Sequence, residues 1–522
     1  MTITPTSLAA INGVGVQNEQ FAVVAEVIPQ RNVIIGTFDE VTYALFPVNT
    51  LTRIFSPEDV GARTGFGFML HRLAQKAFKA GGVETWIIGQ LEGGSSPGTA
   101  VGSFDFTASI GVLAGILALY IAGDRVAVNV AAADTFNDIG VAVAAAINAN
   151  EELPVTAINA AGIVTCTSKS GGAWGNEITL VTNLGADDEL PDGVVVAITD
   201  MAGGSGVPDI QDALDEMGVG DAQNEKFFTN VIHGYIGDTA TLDALSTYNG
   251  VGNTFIGNYR KEVARPFRSL IGDNTPLSAG LAAALIAADL RRLDRTNGCI
   301  CAPGSPNHPA EIAAQMLGIM GVINSTRAEE GYIDKTLDGI WPGAMADRWT
   351  NDYENRDQAV KGGLSTTLVK NGVLTAQNII TFYRPADIAP SSNGYRAMRN
   401  ISIIQNLLDN YRRNFERTKW KGISIVENTN EVSNVVDREK ARDVDAVLDD
   451  LVALAEAFAG NAWLYNASYT IGRLQAGGLV TLRAGLTGFD ITFPVIFSGE
   501  GGIYNTTITF DTSIAILTSG GE

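Results

Sequence analysis

From residue 488 to residue 517 the chain alternates apolar and polar side chains with a period of two. Phe489, Ile491, Phe493, Val495 and Phe497 share one face of the first run. After Gly499-Glu500-Gly501-Gly502, the residues Tyr504, Thr506, Ile508, Phe510, Thr512, Ile514 and Ile516 share one face of the second. A helix cannot hold such a pattern on one side, so two strands joined as a hairpin are predicted. Ends of chains normally lose order, and one that finishes in a half-apolar strand needs another strand to pair with. The first residues also read as extended: Thr2-Ile3-Thr4, Gly13-Val14-Gly15-Val16 and Phe21-Ala22-Val23-Val24. The expectation is that the two ends are arms exchanged between neighbouring subunits. Ile3, Val14, Val16 and Val23 would carry one arm, and Phe489, Ile491, Phe493, Tyr504, Ile508, Phe510 and Ile514 the other. A chain built this way is an assembling, structural protein rather than an enzyme.

Composition narrows the partners. The 522 residues suffice for several domains, and a hydrophobic share of 46% is enough to bury full cores. Thirty-five basic against 57 acidic residues leave a net charge of −22, which opposes direct nucleic-acid binding. Self-assembly must then come from apolar or backbone pairing and respond to salt. Three cysteines, Cys166, Cys299 and Cys301, are no disulfide framework and suit a reducing compartment. The first residues lack a basic and then apolar leader, so no secretory signal is expected. The uncharged run 107–123 is diluted by Ser109 and three glycines and falls short of the ~20 apolar residues of a spanning helix. It reads as a buried strand, and no membrane insertion is expected.

The fold class expected is a multidomain α+β and α/β chain: a mixed-sheet α/β core, an inserted β-rich domain and extended terminal strand arms. Residues 1–30 form the N-terminal arm and residues 31–92 the first part of the core. There, Asn32-Val33-Ile34-Ile35-Gly36 is a buried strand, Ser56-Pro57-Glu58-Asp59 starts a helix, and Phe66, Met69, Leu70, Leu73 and Ala77 continue it at helical spacing. Gly81-Gly82 stops it before a strand at 83–88. Linkers at 92–98 and 203–206 bracket the inserted domain, 93–206, as two flexible hinges. Inside, strands are predicted near 116–122, 125–130, 155–158, 163–168, 177–183 and 194–199. A helix at 135–149 buries Phe136, Ile139, Val143 and Ile147. The second part of the core, 207–390, alternates helices and strands and ends in a hairpin about Asn371-Gly372, extended by a strand at 379–383. Residues 391–522 hold two long helices, 392–420 and 437–459, then the terminal strands. The first helix has Ile404, Leu408, Tyr411 and Phe415 as its seam and carries Arg396, Arg399, Arg412, Arg413, Arg417, Lys419 and Lys421. The second has Val444, Leu448, Leu451, Ala455 and Phe458.

No catalytic, cofactor or metal site emerges. His71, His233 and His308 are far apart in sequence and accompany no nucleophile or HExxH signature. Cys299-Ile-Cys301 lacks the second pair of a zinc site and reads as buried strand cysteines. Gly61-Ala-Arg-Thr-Gly-Phe-Gly has neither the Lys-Ser/Thr ending nor the strand of a phosphate loop. The cations of the first long helix reverse the sign of an acidic chain and read as a docking surface for an acidic partner, with a solvated face as the alternative. The main rival reading is another structural component of a large assembly, and the second is a hydrolase using His233 with a distant Ser and Asp.

Several stretches resemble the tail sheath proteins of contractile bacteriophages, the Mu-type group above all. They are Leu119-Tyr120-Ile121-Ala122-Gly123-Asp124-Arg125-Val126-Ala127-Val128, Leu153-Pro154-Val155-Thr156-Ala157 and Gly172-Ala173-Trp174-Gly175-Asn176-Glu177-Ile178. Glu84-Thr85-Trp86-Ile87-Ile88, Ile210-Gln211-Asp212-Ala213-Leu214 and Thr336-Leu337-Asp338-Gly339-Ile340 follow the same order. The resemblance implies hexameric rings stacked helically around a tail tube, strand exchange through both arms, and a contraction that drives the tube through the host envelope. Implied partners are further copies of the chain, the tail tube protein, and baseplate and tail terminator proteins, with no cofactor. The implied location is the virion, after assembly in the host cytoplasm. Arg412, Arg413 and Arg417 are expected to face the tube. The Pro-Gly-Val-Tyr-like entry of sheaths is replaced here by Gly13-Val14-Gly15-Val16.

Overall fold

The computed structural model describes residues 25–93, 98–218, 227–251, 257, 264–350, 353–384 and 394–499. The first unit comprises β1 (Arg31–Thr37), β2 (Thr52–Ile54), α1 (Pro57–Thr64), α2 (Met69–Ala77) and β3 (Glu84–Gln90). Next come β4 (Val101–Asp105), β5 (Gly115–Ile121), β6 (Asp124–Val130), α3 (Phe136–Ala149), β7 (Val155–Ala160), β8 (Ile163–Ser168), β9 (Leu180–Thr182) and β10 (Ala197–Ala202). The α/β pattern resumes with α4 (Gln211–Met217), β11 (Asn230–His233), α5 (Thr239–Asn249), β12 (Arg268–Asp273), α6 (Leu277–Leu290), β13 (Asn297–Cys301) and α7 (Pro309–Asn324). It closes with α8 (Glu354–Lys361), β14 (Ser365–Lys370) and β15 (Val373–Asn378). Last are α9 (Met398–Phe415), β16 (Ser424–Ile425), α10 (Val435–Lys440), β17 (Ala441–Arg442), α11 (Val444–Gly460), α12 (Ala467–Gln475), β18 (Val480–Leu482) and β19 (Phe489–Ile491).

One mixed sheet unites both parts of the core, in the order β15-β14-β13-β12-β11-β1-β3-β2. Its interior strands pair in parallel, and antiparallel β2 and β15 close the two edges. Parallel strands are covered on both faces, which is why β1 reads as an unbroken apolar run. Val33, Ile34 and Ile35 are fully buried. Helices α2 and α7 pack on each other and on this sheet, and all but two of α7's sixteen residues are buried. The β-rich unit has its own core around Phe104, Phe106, Leu117, Ile121, Ile139, Val143, Ile147 and Val164. It is made of a four-stranded sheet β10-β4-β8-β7, a three-stranded sheet β6-β5-β9, and α3. The 107–123 run contributes β5, whose residues Leu117–Ile121 are buried. No helix among the described residues is long and apolar enough to cross a membrane.

Several expectations change. The helix expected across 56–77 is two: Ser56 caps α1, but Gly65 and Gly67 sit at φ 99° and 81°, which breaks the run before α2. Phe136 is 37% exposed and leaves the buried stripe of α3. Residues 379–383 form no strand, because the Ile380 amide bonds the Ser365 hydroxyl and the Phe382 amide bonds the Asn297 carbonyl. The long helix 392–420 is the shorter α9, and 437–459 divides into α10 and α11 at the β17 pairing with β16. Elements β2, β4 and α8 have too few periodic residues to be read in advance.

The segments at 92–98 and 203–206 are fastened where they are described. Gly98 pairs with Ser205, the Ala173 amide reaches the Gly206 carbonyl at 3.0 Å, and Glu92 accepts from the Gly171 amide. Further along, the β5–β6 turn enters a socket on the core. Asn307 donates to the Ala122 carbonyl at 3.2 Å and the Trp341 indole to that of Gly123 at 2.9 Å. Gly123 is at φ 84°, and a Cβ there would stand 2.3 Å from the Asn307 amide nitrogen. Beneath the turn, Arg72, 1% exposed, pairs with the buried Glu311 at 2.7 Å and with Asp124. Burial opposes the Arg72 charge, but the two carboxylates more than offset it and raise its pKa.

Candidate assembly surface

Helix α9 is where both ends of the described chain converge. Its buried face is unusual, because Ser402, Asn406, Asn410 and Asn414 recur every fourth residue and are all buried. A buried amide without a partner costs on the order of 1–3 kcal/mol, so each must be satisfied. All three asparagines are bonded from outside the helix, Asn406 and Asn410 by backbone and Asn414 through its Nδ2 to Asp450. The Ile28 amide donates to Asn406 Oδ1 at 2.8 Å, and the Glu26 amide to Asn410 Oδ1 at 2.9 Å. Asn410 Nδ2 returns a bond to the Glu26 carbonyl at 2.7 Å, and Asn461 Nδ2 reaches the Ala25 carbonyl at 2.8 Å. Residues 25–28 therefore lie along the helix as an extended chain, with side-chain amides in place of a neighbouring strand. Gln30 then enters the core, where its Oε1 meets the buried Arg268 at 3.2 Å.

The C-terminal stretch settles on the same body. Phe489, Ile491, Phe493, Val495 and Phe497 all pack on a cluster formed by Ile403, Leu407, Leu451, Leu454, Phe458 and Trp463. Antiparallel pairing joins β19 to β18, so the backbone of Phe489 and Ile491 is bonded within this chain. The Tyr465 amide bonds the Ile496 carbonyl at 2.8 Å and the Ser498 amide the Trp463 carbonyl at 3.0 Å. Arg399, at the start of α9, holds the Ser498 carbonyl at 2.7 Å. Arg399 and Asn410 stand roughly 16 Å apart along the helix axis at 1.5 Å per residue. Ser498 and Glu26 are thus bonded to one helix within that span. Ile3, Val14, Val16, Val23, Tyr504, Ile508, Phe510 and Ile514 lie outside the described residues.

The basic surface of α9 is largely neutralised. Arg412 pairs with Asp409 at 2.8 Å and Glu416 at 2.7 Å; Arg413 pairs with Glu26 at 2.7 Å and Asp409 at 2.6 Å. Lys419 pairs with Asp450, Arg399 is buried, and Arg396 bonds the Val360 carbonyl. Arg417 is exposed and has no ion pair among the described residues. Sequence spacing could show the cations but not the acids that meet them from Glu26 and Asp450. The expected seam holds in part: Tyr411 and Phe415 pack, half-buried, on the apolar cluster, while Ile404 and Leu408 are only half-buried and the face toward the N-terminal segment is polar.

No family model matches the chain. The Mu-like prophage FluMu tail sheath protein of Haemophilus influenzae is 24% identical over 343 residues, 64% of this chain and 64% of the relative. This chain is a sequence relative of a Mu-like tail sheath protein. It spans less than two thirds of that sheath protein's length. Among solved structures it is similar to the sheath tail protein of Desulfitobacterium hafniense, with TM-score 0.41, 13% identity and coverage of 87% and 91% of the two chains. A contracted PVC sheath complex of an extracellular contractile injection system matches with TM-score 0.46 at 8% identity, covering 97% and 99%.

The three histidines of this sheath relative all lie in its interior. His71 accepts from the Gly67 amide at 3.0 Å, and burial, with Arg72 and Lys169 nearby, lowers its pKa to about 4. His308 stacks on Trp174 at 3.6 Å and caps α7, and burial takes its pKa to about 3. His233 is also lowered to about 4 by burial, and neither ring nitrogen has a hydrogen-bond partner among the described residues. Among the described residues no carboxylate or hydroxyl is bonded to the His233 ring.

Proposed function

We propose that the chain is the repeating subunit of a contractile tail sheath. Copies form six-membered rings that stack helically around a tail tube, and the residues beyond 25 and 499 add as strands to neighbouring subunits. Strand addition suits such a joint, because backbone hydrogen bonds persist while the bodies they link rotate. A head-to-tail contact that does not close on itself generates a helical array. Contraction then needs two packings of one subunit, the first kinetically trapped, and no nucleotide. The observation that supports the reading is that the described chain begins and stops, at residues 25 and 499, on the same α9 body, the first end through amide-to-backbone bonds and the second through apolar packing and backbone bonds. The Mu-like relative supports it.

In this reading the C-terminal arm starts after Gly499, with Phe489, Ile491 and Phe493 as its root. Arg417, just past the end of α9, is the cation assigned to an acidic tube surface, while Arg412 and Arg413 order the N-terminal root through Asp409 and Glu26. Tube, baseplate and terminator proteins are the partners, and the virion is the location. The test is negative-stain microscopy of the full chain and of a form lacking residues 503–522. The full chain is expected to build hollow cylinders, and the shortened one to stay as folded, discrete particles. Cylinders of normal length from the shortened chain would overturn the proposal.

A further inference from the structure

We propose a thiolate metal site at Asp273, Cys299 and Cys301, one that would take zinc or a similar thiophilic divalent ion. Strands β12 and β13 pair in parallel with Asp273 opposite Cys301. Cys299 and Cys301, two apart on one strand, point to the same side of the sheet. Their sulfurs are 3.9 Å apart, and one ligand atom from each of the three residues lies within 4.8 Å of the others. Two thiolates about 2.3 Å from a tetrahedral ion stand about 3.8 Å apart, so the sulfur spacing needs little adjustment. A carboxylate completes a three-ligand set of the kind that leaves a fourth position open.

That fourth position has somewhere to open. Asp273 and Cys299 line a cavity of ≈480 Å³ at the carboxyl ends of the parallel strands, which Glu177, Asn274 and Pro309 also line. Glu177 comes from the β-rich unit and Pro309 begins α7, so an ion here would sit where that unit meets the core. Both cysteines are 4% exposed, which shelters the thiolates from oxidants while the cavity admits an ion. Uptake displaces the two thiol protons to solvent and leaves the sulfur oxidation state unchanged. Sequence alone could not find this site, because its third ligand is 26 residues before Cys299 and only sheet pairing brings it near.

The experiment uses the full chain, reduced and stripped of metal, titrated with zinc and with cadmium as a spectroscopic probe. Expected for the wild type is one equivalent bound, a near-ultraviolet cadmium–thiolate band and a higher melting temperature with zinc. Cys166→Ser, in the core of the β-rich unit, should behave identically. Cys299→Ser and Cys301→Ser should lose the band, and Asp273→Asn should weaken binding while keeping it. Asp273→Asn ends its strand and carries the test if a cysteine variant fails to fold. A wild type without the band, or a band that survives both cysteine changes, overturns the site. So does a Cys299–Cys301 disulfide in the intact mass with no cadmium uptake after reduction.

Discussion

The junction between the β-rich unit and the core, and the cradle that α9 offers the chain ends, are held by opposite means. At the junction a buried ion pair and ring stacking lead the contacts: Arg72 between Glu311 and Asp124 and His308 on Trp174, with the backbone of the β5–β6 turn held in its socket by Asn307 and Trp341. In the cradle they run from side-chain amides to backbone, as from Asn406, Asn410 and Asn461 to residues 25–28. Buried charge and shaped packing tolerate only one arrangement, so the unit and the core should move together. Amide-to-backbone bonds are indifferent to the side chains of the strand they hold and can be surrendered one at a time. A subunit meant to turn while staying linked needs a stiff body and compliant roots.

The sharpest way to break this comparison is Arg72→Ala. It leaves Glu311, which is fully buried, with Lys76 at 3.5 Å as its remaining cation, and loss of one partner of such a buried pair costs up to about 3–5 kcal/mol. Urea denaturation should show that loss, and a value near zero would mean that the junction does not stiffen the body.

Acid is the next largest lever. His71 and His308 at the junction, and His233 within the core, have pKa values of about 4, 3 and 4 against an ordinary 6.5. Below about pH 6.5 the unfolded chain binds protons that the native chain refuses, so stability is whole above that pH and falls toward pH 4. The loss should reach a few kcal/mol in thermal melts. His71→Gln and His308→Gln should flatten that slope.

Asn410→Ala tests the other side. It leaves the Glu26 amide and carbonyl without their partner and should cost about 1–2 kcal/mol. Limited proteolysis near residue 25 should quicken well before global unfolding changes. Coincident changes would erase the distinction between stiff body and compliant root.

Smallest is Arg417→Glu, which should alter stability by less than about 0.5 kcal/mol, since the side chain is exposed and makes no ion pair among the described residues. Co-sedimentation with tail tubes would sharpen its assignment. Reduced loading is expected, and unchanged loading would remove Arg417 from the tube contact.

Local pattern was enough for most elements. The apolar runs of β1 and β3, the Ser56 cap, the α3 periodicity and the Asn371-Gly372 hairpin are set by residues within one turn or strand of each other. The apolar face of 489–497 was legible for the same reason, since a period of two is a property of neighbours. Elements shorter than about two periods, such as the three-residue β2, carry no such signal.

What the sequence determined by itself, then, is which stretches coil, which extend, and which side of each is apolar. Tertiary structure alone decided their company. Glu26 neutralises Arg413 across 387 positions, Asn410 grips backbone 384 positions away, and Arg72 meets Glu311 across 239. Those pairings depend on how whole layers dock, and a charge or an amide is the same letter whether it faces water or a buried partner. The physical reason is that propensity and periodicity act over a few residues, while desolvation and partner choice are settled only when distant segments close on one another.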